Sequence, residues 1–221
     1  MSKASASEIA SLIVAEALKK PREDRRFLLA IAGPPAAGKT TVVALVKDKL
    51  IEAGFTACLL PMDGFHMDNE QLEQLDLLHR KGAPQTFLAK DFAAMVADLT
   101  GQEQVIAPGF DRAADRTVPG IHTIDAATDF VVLEGNYLLY NAPEWRSLQD
   151  HWDFSVFITF DQNVLEQRLI KRWIDFGLDQ DAATKRAMSN DIPNAKSVLD
   201  RRMPSSLTFR NGAATIEADP E

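Results

Sequence analysis

Apolar residues divide the chain into segments of two kinds. Short apolar runs at 27–32, 55–60, 130–133 and 156–160 have the length of strands buried on both faces. Elsewhere the apolar positions recur at helical spacing. They are Ile9, Leu12, Ile13 and Leu18 near the start, and Val42, Val43, Leu45, Val46, Leu50 and Ile51 over 40–53. The same spacing links Phe92, Met95, Val96 and Leu99, and then Val164, Leu165, Leu169, Ile170 and Trp173 over 162–176. It predicts amphipathic helices, with Gly54 and Gly177 as stops and Pro21 closing an N-terminal helical segment, 1–21. Strands alternating with helices of about ten residues or more predict an α/β domain with a parallel sheet and right-handed crossovers.

The remaining stretches are less regular. Residues 67–86 are mostly polar, with Leu72, Leu75 and Leu78 suggesting a short helix that covers a site or forms its wall. Residues 104–125 lack helical periodicity and contain Pro108, Gly109, Pro119 and Gly120, which predicts a loop or hairpin excursion on the substrate side. The stretch 178–203 is polar, with helical pieces broken at Pro193, and 206–209 reads as a last strand. No repeat, low-complexity tract or long linker divides the chain, so one domain over 1–221 is expected.

Composition narrows the function. With 46% apolar residues the chain can bury a sizeable core. A net charge of −8 argues against broad nucleic-acid or acidic-membrane binding, so any phosphate chemistry must rely on a few local cations. Cys58 is the single cysteine, which excludes an intrachain disulfide framework and zinc-ligand spacing and fits a reducing cytoplasm. Glu8 and Glu16 interrupt the first apolar set and no signal-cleavage pattern follows it. No window approaches the about 18 uninterrupted apolar residues of a membrane span.

The strongest chemical signal follows the first strand run. Gly33-Pro34-Pro35-Ala36-Ala37-Gly38-Lys39-Thr40-Thr41 carries the spacing G-x-x-x-x-G-K-[ST] between a strand and a helix. Its glycines let backbone N–H groups close around phosphate oxygens, Lys39 reaches the β and γ phosphates, and the Thr40 hydroxyl suits Mg²⁺. The helix that follows presents its positive end to the same anion.

Other constellations gather around it. The run 130–133 ends in Glu134, which a buried strand would set beside the loop to hold Mg²⁺ directly or through water. The run 55–60 delivers Met62-Asp63-Gly64-Phe65-His66 to the sheet edge where ligands collect. Two readings of Asp63 weigh equally, a base for a substrate hydroxyl or an Asp-Gly turn or helix cap. Arg168 and Arg172 share one helix face with Lys171 beside them, matching either a polyphosphate or a solvated basic face. Phe110-Asp111-Arg112, with Asp115 and Arg116, would bind a polar metabolite or form a surface ion-pair network. His79, His122 and His151 read as structural or surface residues, and Asn190, Asp191, Pro193 and Asn194 as turn and capping material.

Taken in order, GPPAAGKT, PMDGFH, GFDRAADR, VLEGNYLL, RLIKRW and NDIPNA resemble the P-loop small-molecule kinases that include uridine kinase, pantothenate kinase and phosphoribulokinase. The resemblance runs over 27–198 and is greatest to bacterial proteins described as fructose transport system kinases. It implies a three-layer P-loop NTPase fold with a five-stranded parallel core in the order 2-3-1-4-5, helices on both faces and a mobile lid over 168–194. It implies ATP and Mg²⁺, makes Asp63 the base and Glu134 the acidic group at the magnesium site, and matches Arg168 and Arg172 to lid arginines. The acceptor side is then expected around Asp63, His66, Phe110, Arg112, Asp115 and Tyr137.

Where pyrimidine nucleoside kinases of this group carry a histidine five residues after the hairpin aromatic, this chain has Asp115, which points away from uridine and cytidine. NDIPNA is closer to the pantothenate kinases, whose long additional regions the chain lacks. The expectation is a cytoplasmic kinase moving the γ-phosphoryl of ATP to a hydroxyl of a nucleoside-, vitamin- or sugar-like metabolite. The alternative class is a regulatory or transport-associated NTPase with no phosphate acceptor. A mononucleotide kinase would need more acceptor-side cations than Arg112 and Arg116. No nucleic-acid partner or membrane insertion is expected, and the N-terminal helix is left to pack on the core or on a second copy in a homodimer.

Overall fold

The computed structural model describes residues 4–216. In chain order the helices are α1 (Ala6–Ala17), α2 (Lys39–Glu52), α3 (Asn69–Gln74), α4 (Ala89–Gly101), α5 (Gln162–Asp175), α6 (Gln180–Arg186) and α7 (Ile192–Asp200). The strands are β1 (Phe27–Ala32), β2 (Ala57–Pro61), β3 (Gln104–Asp111), β4 (Arg116–Asp125), β5 (Phe130–Gly135), β6 (Phe154–Thr159), β7 (Leu207–Arg210) and β8 (Ala213–Ile216).

Every residue of β1 and β6 is buried, because side chains alternate between two cores. In β1, Phe27, Leu29 and Ile31 join the core shared with α1 and α2. Leu28, Ala30 and Ala32 join the one shared with α4 and the segment 137–148. The result is three layers. Five parallel strands run in the order β2-β5-β1-β6-β7, the five-stranded parallel core expected, and β8 adds an antiparallel sixth on β7. The excursion 104–125 is a separate antiparallel hairpin, β3 with β4, with a register shift between Ala107 and Gly109.

The N-terminal helix packs on the body of the chain. Ser5 caps α1 and Glu8 returns the bond in a capping box, while Ile9, Ala10, Ile13, Val14 and Ala17 are buried on the α2 side. Leu18, counted in the expected apolar stripe, points outward.

Pro61 is the last residue of β2, tolerable because β2 lies at the sheet edge. Pro193 does not break a helix. It sits in the first turn of α7, where its missing N–H is not needed, and the irregularity is the π-helical turn Ala187–Asp191 just before it. Arg26, the last residue of a charged run before β1, is only 5% exposed. Its guanidinium donates to the carbonyls of Leu99, Gln102 and Glu103 at the end of α4, and to Ile124 and Asp125 at the end of β4. The Leu99 and Gln102 carbonyls carry the negative end of the α4 dipole, so among the described residues the cation is held by carbonyl oxygens and no carboxylate.

Candidate active site

Strand register places the chemistry. β5 lies between β1 and β2, and Glu134 aligns with Ile31 on one side and Pro61 on the other. The phosphate loop leaves β1 immediately after Ala32, and Asp63 follows β2 by two residues. Three groups that are far apart in sequence therefore meet at one sheet edge, with Glu134 in the middle.

On the loop side, Gly38 caps α2 with φ 82°, a conformation glycine adopts freely, and Lys39 begins the helix. The Lys39 side chain is only 6% exposed and donates from Nζ to Asn136 Oδ1 at 2.8 Å and to the Pro34 carbonyl at 3.1 Å. Glu134 Oε1 lies 3.8 Å from the same ammonium. Burial pushes the Lys39 amine below its ordinary range, and Glu134 with Asp63 oppose that shift. Burial likewise raises the Glu134 carboxyl, against the pull of Lys39 and a hydrogen bond from Thr40. The ammonium and carboxylate thus support each other's charge.

Among the described residues there is no cluster of three or more histidine, cysteine or acidic side chains able to hold a metal. The neighbouring Thr40 hydroxyl and Glu134 carboxylate are instead a small hard-oxygen set. That suits Mg²⁺, which takes one or two protein oxygens and completes its shell with phosphate and water.

On the other side, Asp63 sits in a 3₁₀ turn, Met62–Phe65, and accepts from Arg112 Nη2 at 2.6 Å on Oδ2. A Cβ on Gly64 would stand 2.3 Å from the Pro108 carbonyl oxygen, so this glycine admits the backbone of β3. His66 Nδ1 lies 2.8 Å from the Asp63 carbonyl, and its ring stacks between Phe87 and Phe110 with centroids 4.0 and 4.8 Å away. Burial lowers the His66 pKa. Asp115 turns the hairpin tip with φ 49° and pairs with Lys81 at 2.9 Å, while Lys81 lies 5.2 Å from the Phe110 ring centroid.

Three expected placements change. Tyr137 is fully buried, packs against Phe87, Tyr140 and Trp145, and donates its hydroxyl to the Gly82 carbonyl at 2.7 Å. Its side chain sits in the core, away from the expected acceptor wall. Arg168 does reach the loop, donating to the Ala36 carbonyl at 3.1 Å with its guanidinium 3.9 Å from the Phe160 ring centroid. Arg172 lies over Phe176 instead, and Asp175 pairs with Lys171. Thr41 faces solvent.

Sequence reasoning missed Asn136 and the strap Arg80-Lys81-Gly82. Asn136 was legible, since a residue two beyond Glu134 continues the same side of the strand. The strap was not. Its contacts run to Ser189 and Asn194 from Arg80, to Asn190 and Asp115 from Lys81, and to Tyr137 from Gly82, all distant in sequence.

A phosphate loop, a buried lysine–glutamate pair and an aspartate across the sheet edge define a P-loop nucleotide enzyme of the kinase kind. The family model for phosphoribulokinase and uridine kinase matches residues 28–206, and the chain belongs to that family. It is thereby an ATP-dependent phosphotransferase with an alcohol acceptor. A solved protein from Silicibacter sp. TM1040, provisionally described as a fructose transport system kinase, is 40% identical. The likeness covers 93% of this chain and 99% of that one, with a TM-score of 0.85. The uncharacterised protein YggC of Escherichia coli K12 is 33% identical over 201 residues, 86% of this chain and 80% of that one. A Schizosaccharomyces pombe protein with a provisional uridine kinase description is 29% identical over 184 residues, 78% of each chain. Among the described residues no helix is long and apolar enough to cross a membrane.

Proposed function

We propose that this protein transfers the γ-phosphoryl group of ATP to a hydroxyl of a small polar metabolite in the cytoplasm, with Asp63 as the base. The observation that carries this reading is the position of Asp63, across Glu134 from Lys39 and held by Arg112 through one carboxylate oxygen only. Oδ1 remains to accept a hydroxyl proton. Lys39 and the amides of 33–40 hold the phosphates, and Arg168, already on the loop, stabilises charge on the transferring group. Thr40 and Glu134 hold Mg²⁺, which when bound neutralises charge on the phosphate oxygens. Because the transition state makes little covalent demand on protein, positioning and electrostatics supply most of the acceleration. His66, Phe110, Arg112 and Asp115 form the acceptor wall.

Nucleoside-, vitamin- and sugar-like acceptors all fit a wall of this kind, and relatives carry names of each sort, including a pantothenate kinase of Streptococcus equi. The test is an ADP-release screen of the purified protein against these classes, with mass spectrometry of the product. The expected result is at least one acceptor that raises release in the wild type and not in Asp63→Asn. If no acceptor raises release above the basal rate, the chain is a slow NTPase and the reading of Asp63 is wrong.

A further inference from the structure

A cavity of about 690 Å³ opens beside the phosphotransfer site, between the start of α4, the turn 140–145 and α7. No residue of the phosphate loop or of the β3–β4 hairpin lines it. Phe87 is the shared partition, since its ring stacks on His66 and also faces the cavity.

The lining is built in two tiers. Phe87, Tyr140 and Trp145 make an aromatic floor, all three buried. Trp145 is 1% exposed and lines the cavity, and its indole N–H has no hydrogen-bond acceptor among the described residues. A buried indole N–H ordinarily finds a partner, which a ligand oxygen in the cavity would supply. Above the floor, three cations (Arg80, Lys90 and Arg201) face two acids (Asp91 and Glu144), the reverse of the balance in a chain of net charge −8. The first turn of α4 also lines the cavity, and its N-cap is Leu88, with no side-chain cap. Cationic side chains therefore outnumber acidic ones around an apolar base.

We propose that this cavity is a second small-molecule site, separate from the phosphotransfer site, for an organic anion with a flat apolar body. The body lies on the aromatic floor, an oxygen accepts from Trp145, and the negative charge faces Arg80 and Arg201. Such an occupant would also brace α7. Asn194, which accepts from Arg80 at 3.3 Å, and Ser197, bonded to the Tyr140 hydroxyl at 2.6 Å, both line the cavity.

The test uses the intact protein and the fluorescent anion 8-anilino-1-naphthalenesulfonate, with neutral N-phenyl-1-naphthylamine as its uncharged counterpart. The expected result is saturable one-site binding with energy transfer from tryptophan, unchanged by saturating Mg-ATP. The neutral dye should bind about tenfold more weakly. Ala142→Leu, which fills the cavity, should weaken binding by about tenfold or more at an unchanged thermal midpoint. Should that variant unfold, Arg201→Glu on the exposed rim gives the same reading, with weakened anion binding expected. Displacement by Mg-ATP, equal binding of the two dyes, absence of saturable binding, or full binding by the filled or charge-reversed variant would overturn the proposal.

Discussion

The two halves of the active site are built by opposite means. On the proposed donor side, one contiguous loop between β1 and α2 would supply the phosphate contacts, and Lys39 is buried against Glu134 and Asn136. On the acceptor side, Asp63, Arg112, Lys81 and Asp115 come from a turn, a hairpin and a strap, and Arg112 and Asp115 are exposed. The first is written mostly in one stretch of sequence, with Glu134 and Asn136 added from the end of β5. The second is assembled by tertiary packing, so it can vary while the first stays fixed.

That contrast yields measurable differences. Lys39→Ala strikes the donor side and should lower kcat by at least about a hundredfold with any acceptor, read as ADP release against a circular-dichroism control for folding. Retained turnover would remove Lys39 from the phosphate site. Asp63→Asn strikes the boundary between the halves. It should lower kcat about 10²- to 10⁴-fold while leaving the KM for ATP nearly unchanged, and a large rise in that KM would move Asp63 to the donor side.

Gly64→Ala tests whether the acceptor wall depends on backbone packing. Its Cβ meets the Pro108 carbonyl at 2.3 Å, so the hairpin must shift. The acceptor KM should rise roughly tenfold with a loss of about 1–3 kcal/mol in stability, while nucleotide binding measured by calorimetry stays intact.

The smallest effect concerns His66. Burial holds its folded pKa below the unfolded value, so below about pH 6.5 the unfolded chain binds the proton first and stability falls as pH falls. One such group contributes a slope of at most about 1.4 kcal/mol per pH unit. Thermal midpoints between pH 7.5 and 5.5 should show a shallower slope in His66→Phe, and an unchanged slope would place the titration elsewhere.

The same contrast explains what the sequence disclosed. The loop, the carboxylate at the end of β5 and the aspartate after β2 were legible because apolar runs mark strands and ligands collect at their carboxyl ends. The residue after a strand end is less well placed: Tyr137 follows Glu134 by three and turns into the core, whereas Asn136 turns toward Lys39. The strand β8 escaped notice since its pairing partner, and not its own pattern, makes it a strand. Arg80 and Lys81 carried no local signal, because apart from Asn69, 12 positions before Lys81, their side-chain partners lie more than 30 positions away.

Arg26 gives the hairpin an unusual mechanical character. Its root is fastened by a guanidinium on five neutral carbonyls, out of reach of mobile ions, whereas its tip is held by the exposed Arg112–Asp63 and Lys81–Asp115 pairs. Ionic strength should therefore act on the two ends unequally. Added salt loosens the tip around the acceptor and leaves the root seated, so the affinity for the phosphate acceptor becomes salt-sensitive in a protein whose melting temperature hardly moves.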